Sequence, residues 1–161
     1  MYNNLKILNL SEELVNIRRN SRTVKGGRII SFSVLTVVGN KNGKIGFGLG
    51  KSRNVSSAIK KALNNSIKNI TQIAMPNNTI WCPIVSSYGS SKIFMKPAKQ
   101  GTGIVAGSSM RLIFKVLGIS GIRSKIYGSK NPLNVVRATF LGLKQSTRFY
   151  FKRNSCYLNL K

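Results

Sequence analysis

The sequence contains no aspartate and no histidine, and its only acids are Glu12 and Glu13, side by side near the N-terminus. General acid–base catalysis recruits His, Asp or Glu, and magnesium is held by carboxylates. Two adjacent glutamates supply neither a metal site nor an acid–base pair, so the chain reads as a non-enzyme with no cofactor. Cysteine is scarce as well: Cys82 and Cys156 stand far apart with no C-x-x-C spacing, which leaves metal and redox motifs unsupported. Two reduced thiols are the simpler reading, with one long-range disulfide as the alternative. No run of 18 apolar residues exists, so no membrane span is expected. The N-terminal stretch has neither a signal-peptide core nor an arginine-rich transit character, and the protein is expected to work where it is made.

What the chain has is positive charge. It carries 27 Lys and Arg against two acids, a net +25 on 161 residues. Such a charge repels itself and opposes compaction unless a polyanion neutralises it, and it far exceeds what solubility needs. Nucleic acid is the expected partner, ahead of an anionic membrane surface. With 42% hydrophobic residues the chain can still bury a core of one ordinary domain or two small ones. Asn, Ile and Lys abound, and their AT-rich codons fit an endosymbiont or an organelle genome.

The stretch GKIGFGLGKS, residues 43–52, ends like a phosphate-binding loop. A P-loop with Gly50, Lys51 and Ser52 fixed needs glycine at position 45, which is Ile45. The dinucleotide pattern fails too, because glycine would have to stand at Lys51 or Arg53. The stretch instead alternates: Ile45, Phe47 and Leu49 share one face, Gly46, Gly48 and Gly50 the other. Interior glycines weaken a strand, so that face must admit a close neighbour, either a packed element or RNA.

Around this strand the elements follow. A basic extended segment, residues 14–24, ends in the turn Lys25-Gly26-Gly27-Arg28, where bare backbone and two cations suit close approach to phosphate; a plain hairpin turn is the other reading. The period-two run RIISFSVLTVVGN and the turn Lys41-Asn42-Gly43 predict a hairpin with the glycine strand. Asn54 is the expected cap of a helix whose stripe is Val55, Ala58, Ile59, Ala62, Leu63, Ile67 and Ile70. Met75 to Thr79 reads as a linker. Two strands around Gly89 follow, with Pro83 inside the first and Trp81 assigned to the core. Ser108 or Ser109 caps a helix ended by Gly118, the strand GIRSKIYG follows, and Asn131-Pro132 opens the last helix. The tail from 146 is basic and aromatic, fit either to stack on bases or to dock on the body.

The stretch VKGGRIISFSVLTVVGNKNGKIGFGLGKSRNVSSAIKKAL, with SSKIFMKPAKQGTGIVAGSSMR and YGSKNPLNVVRATFLGL, resembles the bacterial form of the family of the fifth protein of the small ribosomal subunit. The likeness covers about residues 14–145 in order. It implies an α+β chain in two units. Residues 14–75 would form a double-stranded-RNA-binding-domain-like unit of three strands and a helix. Residues 76–145 would form a two-layer α/β unit with a left-handed βαβ crossover. Residues 1–13 and 146–161 would be a variable N-terminal segment and the basic aromatic tail.

The resemblance also implies a place at the junction of body and head. There the protein would bind small-subunit rRNA, support assembly and translational accuracy, touch the fourth and eighth proteins, and help line the route of incoming messenger RNA. Arg22, Lys25, Gly26, Gly27 and Arg28 match the family's rRNA-contacting loop, and Lys51 and Arg53 its basic strand-to-helix junction. Gly101, Gly103 and Arg111 fall where the family meets the fourth protein. Asn131 and Arg137 belong to the C-terminal signature; Lys60 and Lys130 complete the candidate RNA contacts. Asn40 and Gln100 replace acids usual in the family, which puts salt bridges to neighbours in doubt. The implied location is the bacterial cytoplasm, or an organelle that encodes its own ribosomal proteins. A stand-alone double-stranded RNA-binding factor is the alternative, and it leaves the second unit idle.

Overall fold

The computed structural model describes residues 10–158, so the first nine residues of the N-terminal segment and the last three of the tail lie outside the described residues. Strands β1 (Ser11–Val24), β2 (Gly27–Gly39) and β3 (Lys44–Ser52) form an antiparallel meander, and helix α1 (Val55–Lys68) covers one face. A two-residue strand, β4 (Thr71–Gln72), closes the sheet beside β3, an addition to the three strands expected. Asn54 stands at the helix N-cap, but its side chain makes no capping bond; its carbonyl accepts from Ala58 N–H instead.

The glycine face of β3 meets α1. A Cβ on Gly46, Gly48 or Gly50 would overlap the backbone of Ser66, Ala62 or Ala58 respectively. The three bare positions let helix and sheet approach backbone to backbone, which settles the choice between packing and RNA on that face. Ser66, itself buried, donates to Ala62 O at 2.9 Å and lies 2.8 Å from the Thr36 hydroxyl, so the polar atoms at this tight seam are satisfied.

The second unit begins after a 3-10 turn at Pro76–Asn78. The expected linker is tied down: Thr79 Oγ1 donates to Gly121 O at 2.6 Å, and Ser120 N–H to Asn78 O. Strands β5 (Ile84–Tyr88), β6 (Ser91–Pro97), β7 (Ile104–Val105) and β8 (Ile122–Gly128) lie in the order β5-β6-β8-β7, with β7 parallel to β8. Helix α2 (Ser108–Leu117) connects that parallel pair, and α3 (Pro132–Leu158) packs on β5 and β6. Pro83 stands just before β5, an edge strand, where its missing N–H costs no ladder bond. The N-cap of α2 is Gly107 and not either serine; Gly118 ends it in the left-handed conformation.

Ile45, Phe47 and Leu49, the apolar face of β3, turn away from α1 toward the second unit. There they join a core with Phe114, Phe140 and Leu143, so a single hydrophobic cluster spans both units. Backbone bonds reinforce the joint: Lys41 N–H and Gly43 N–H, in the β2–β3 turn, donate to Val116 O and Leu117 O at the end of α2. Carbonyls that a helix end leaves without partners are thus satisfied by the other unit.

Trp81 differs from expectation. It is 38% exposed, with Tyr150 edge-on to it at 5.4 Å and the Arg153 guanidinium over its ring. The expected tail is a continuation of α3, which Ser146 and Thr147 bind to the backbone of Trp81 and Ala74. Tyr150 therefore docks on the body, while Phe149 and Phe151 face solvent. No helix among the described residues is long and apolar enough to cross a membrane.

Candidate nucleic-acid interface

Beyond the core, β1 and β2 run on together as a two-stranded arm. Every residue from Ile17 to Ile30 is exposed, including Arg18, Arg19, Arg22, Lys25 and Arg28, and no acid lies among them. Its turn places Gly27 at φ 132° in the region where glycine is favoured, and a Cβ on Gly26 would meet nothing within 4 Å. The protein itself leaves that approach to the backbone open. Pairing fixes the faces: Arg22 stands opposite Ile29, and Arg28 opposite Thr23.

The arm feeds a groove between the units. Arg18 pairs with Ser33 and Ser33 with Lys51, so two cations flank a serine in one row across three strands. Opposite lies the start of α3. Arg18, Asn20, Ser33, Lys51, Asn131 and Pro132 are among the residues lining this cavity of about 220 Å³. Asn131 Oδ1 accepts from Leu133 N–H at 3.4 Å and caps the helix that faces the groove.

The sequence candidates therefore fall into groups. Arg22, Lys25, Gly26, Gly27 and Arg28 share the arm's tip, and Lys51 and Asn131 meet across the groove. Arg53 is exposed in the turn before α1 and Lys60 on its outer surface, while Lys130 is exposed just before α3. Arg137 is engaged internally: its guanidinium donates to the Tyr88 hydroxyl and lies 5.1 Å from that ring's centroid. Both residues line a second cavity of about 490 Å³ with Phe47, Phe140 and Lys144. Gly101 and Gly103 occupy the exposed loop before β7, and Arg111 is exposed in the first turn of α2. Nothing in the local sequence marks Arg18 and Asn20. Only the register that sets Arg18 in line with Lys51 marks them, and local spacing carries no such signal.

Comparison with known proteins bears on both units. Residues 10–74 match the family described as ribosomal protein S5, N-terminal domain, and residues 86–150 match ribosomal protein S5, C-terminal domain. The chain is 54% identical over 134 residues to the small ribosomal subunit protein uS5 of Francisella tularensis subsp. holarctica, covering 83% of this chain and 81% of that protein. It is 54% identical over 138 residues to the protein of the same name from Buchnera aphidicola subsp. Cinara cedri, covering 86% and 84%.

Proposed function

Because this chain belongs to the ribosomal protein S5 family, we propose that it serves the small ribosomal subunit by gripping rRNA with the β1–β2 arm and the adjoining groove. It is a ribosomal structural protein and not an enzyme. The arm carries the proposal. A two-stranded ribbon exposed on all sides is marginal in water, and this one adds five cations with no acid to offset them. Packed RNA phosphates would supply both the missing contacts and the missing charge.

A-form RNA presents shape, phosphates and 2′-hydroxyls more than base edges, and Arg and Lys contacts to phosphate position a protein without specifying sequence. In this reading Arg22, Lys25 and Arg28 bind phosphate while Gly26 and Gly27 let the backbone close in. Lys51, Arg53, Lys60, Lys130 and Asn131 extend the contact over the body, and Arg18 joins them; Arg137 would reach RNA only by leaving Tyr88. The double-stranded-RNA-binding-like unit of residues 14–75 and the α/β unit of 76–145 would act together at the body–head junction, supporting assembly and accuracy of decoding. Gly101, Gly103 and Arg111 are assigned to the fourth protein of the subunit, with the eighth as a further neighbour and messenger RNA passing close by. Bacterial relatives support the ribosome of a bacterial cytoplasm as the location; an organellar ribosome is the alternative.

Sedimentation of lysate before and after a high-salt wash and ribonuclease tests this. The chain should stay in the small-subunit peak through salt and leave it only with ribonuclease. Release in moderate salt onto assorted RNAs would instead support a stand-alone RNA-binding factor.

A further inference from the structure

The sheet of the second unit buries one face under α3 and, among the described residues, leaves the other without a covering element. Its outward positions depart from the polar pattern expected of a face turned to water. Val85 on β5 stands opposite Phe94 on β6, and Phe94 opposite Lys125 on β8; in the next row Lys92 stands opposite Tyr127. Val85 and Tyr127 are each 53% exposed. With Phe94 and Lys92 they line an open depression of about 510 Å³. Beyond it, Lys96 stands opposite Arg123. No acid occurs anywhere after Glu13, so nothing on this unit neutralises these four cations.

We infer that this face is a stacking platform for unpaired RNA nucleotides, with Tyr127 and Phe94 receiving bases and Lys92, Lys125 and the Lys96–Arg123 row receiving phosphates. The inference rests on the RNA-binding reading above and assigns it a second, chemically different surface. Charge complementarity points to a polyanion. The interleaving points away from a protein partner, because lysine is depleted at the dry centre of protein interfaces, and here Lys92 and Lys125 sit among the apolar residues. Aromatic rings need exposed base faces, which a paired A-form helix does not offer. Single-stranded loops and ends offer them, and sheet aromatics are one recurring way of stacking such bases. The arm and the sheet thus divide the work: paired RNA at the arm, unpaired RNA at the sheet.

The test uses the full chain with two probes, a short oligouridylate carrying a photoreactive uridine and a blunt RNA duplex. Crosslinks from the oligouridylate should map to Tyr127 or Phe94. Tyr127→Ala should weaken oligouridylate binding about tenfold, within the range for loss of one stacked base. Tyr127→Phe should bind as the parent does, and duplex affinity should hold in both. Tyr127 and Lys125 are exposed, so their variants should melt as the parent does, which separates lost binding from lost fold. Unchanged oligouridylate affinity in Tyr127→Ala and Lys125→Gln, with crosslinks elsewhere, would overturn the platform. If Lys25→Gln and Arg28→Gln still weakened duplex binding, the broader reading would survive that result. Impaired subunit assembly in Tyr127→Ala with intact oligouridylate binding would hand the face to a protein neighbour and overturn it too. A parent chain that bound neither probe would overturn both readings.

Discussion

The ring of Phe47 lies tilted against that of Phe140, their centroids 4.6 Å apart, and so joins β3 of the first sheet to α3 of the second unit. One strand therefore faces both ways, with glycines on α1 and Phe47 on α3. Phe140 is buried in the cluster shared by both units. Phe140→Ala should cost about 3 kcal/mol, the low end for emptying a buried phenylalanine site. Because the larger hydrophobic cluster spans both units, denaturant unfolding should remain a single transition for probes placed in either unit. Two separated transitions would show that the units fold independently.

The close seam between β3 and α1 predicts an unusual sensitivity to one methyl group. Gly48→Ala should destabilise by about 3 kcal/mol, at the upper end of overpacking, because the new Cβ overlaps the helix backbone at Ala62 O and Ser66 N, which cannot move aside as a side chain can. Gly26→Ala, in open space at the arm's tip, should leave the midpoint of unfolding unchanged. Equal stability of the two variants would contradict the packing described.

Charge removal on the arm should act on binding and not on folding. Arg22→Gln, Lys25→Gln and Arg28→Gln should each lower affinity for rRNA and flatten the logarithmic salt dependence by about 0.7 to 0.9 for every phosphate no longer neutralised. Melting temperatures should match the parent, since all three side chains are exposed. An unchanged slope would remove these residues as phosphate ligands.

Glu13 holds Lys115 at 2.6 Å, an ion pair between β1 and α2 in a chain with only two acids. The lysine side chain is 63% exposed, so water screens the pair. Glu13→Gln should cost no more than about 0.5 kcal/mol in urea unfolding, and less at high salt. A loss of several kcal/mol would mean that the pair holds the two units together, a task assigned here to the apolar core.

The groove offers a further check. Arg18→Gln should weaken rRNA binding as much as Lys51→Gln, because the register sets both in one row over Ser33. A silent Arg18 variant beside an impaired Lys51 variant would confine the contact to the strand-to-helix turn.

Much of this was legible in the residues. Strict alternation through Ile45–Gly50 marked a strand and set its two faces, and the three- and four-residue steps from Val55 to Ile67 marked α1. Asn131-Pro132 and Gly118 marked a helix start and a helix end. The errors lie where local pattern is mute. Trp81 reads as core by composition, yet its surroundings are set by Tyr150 and Arg153, about seventy positions away. Residues from 146 onward read as a tail because cations and aromatics interrupt the apolar period. Ser146 and Thr147 tie that stretch of helix to the body by accepting from Trp81 N–H and Ala74 N–H, on either side of the linker.

By itself the sequence determined the chemistry. With no aspartate, no histidine and a net +25, it has few of the usual acid–base groups and favours a polyanionic partner, since charge and residue type need no fold to act. It also determined that Gly46, Gly48 and Gly50 share one face, because a strand repeats every two residues. Only the tertiary structure decided what met that face. Helix α1 and an RNA backbone could each have filled the space, and the choice depends on how a strand and a helix close over a shared core, which no local spacing encodes. The same holds for the row Arg18, Ser33 and Lys51. Strand pairing brings together residues far apart in the chain, and register is a property of the sheet and not of any one strand.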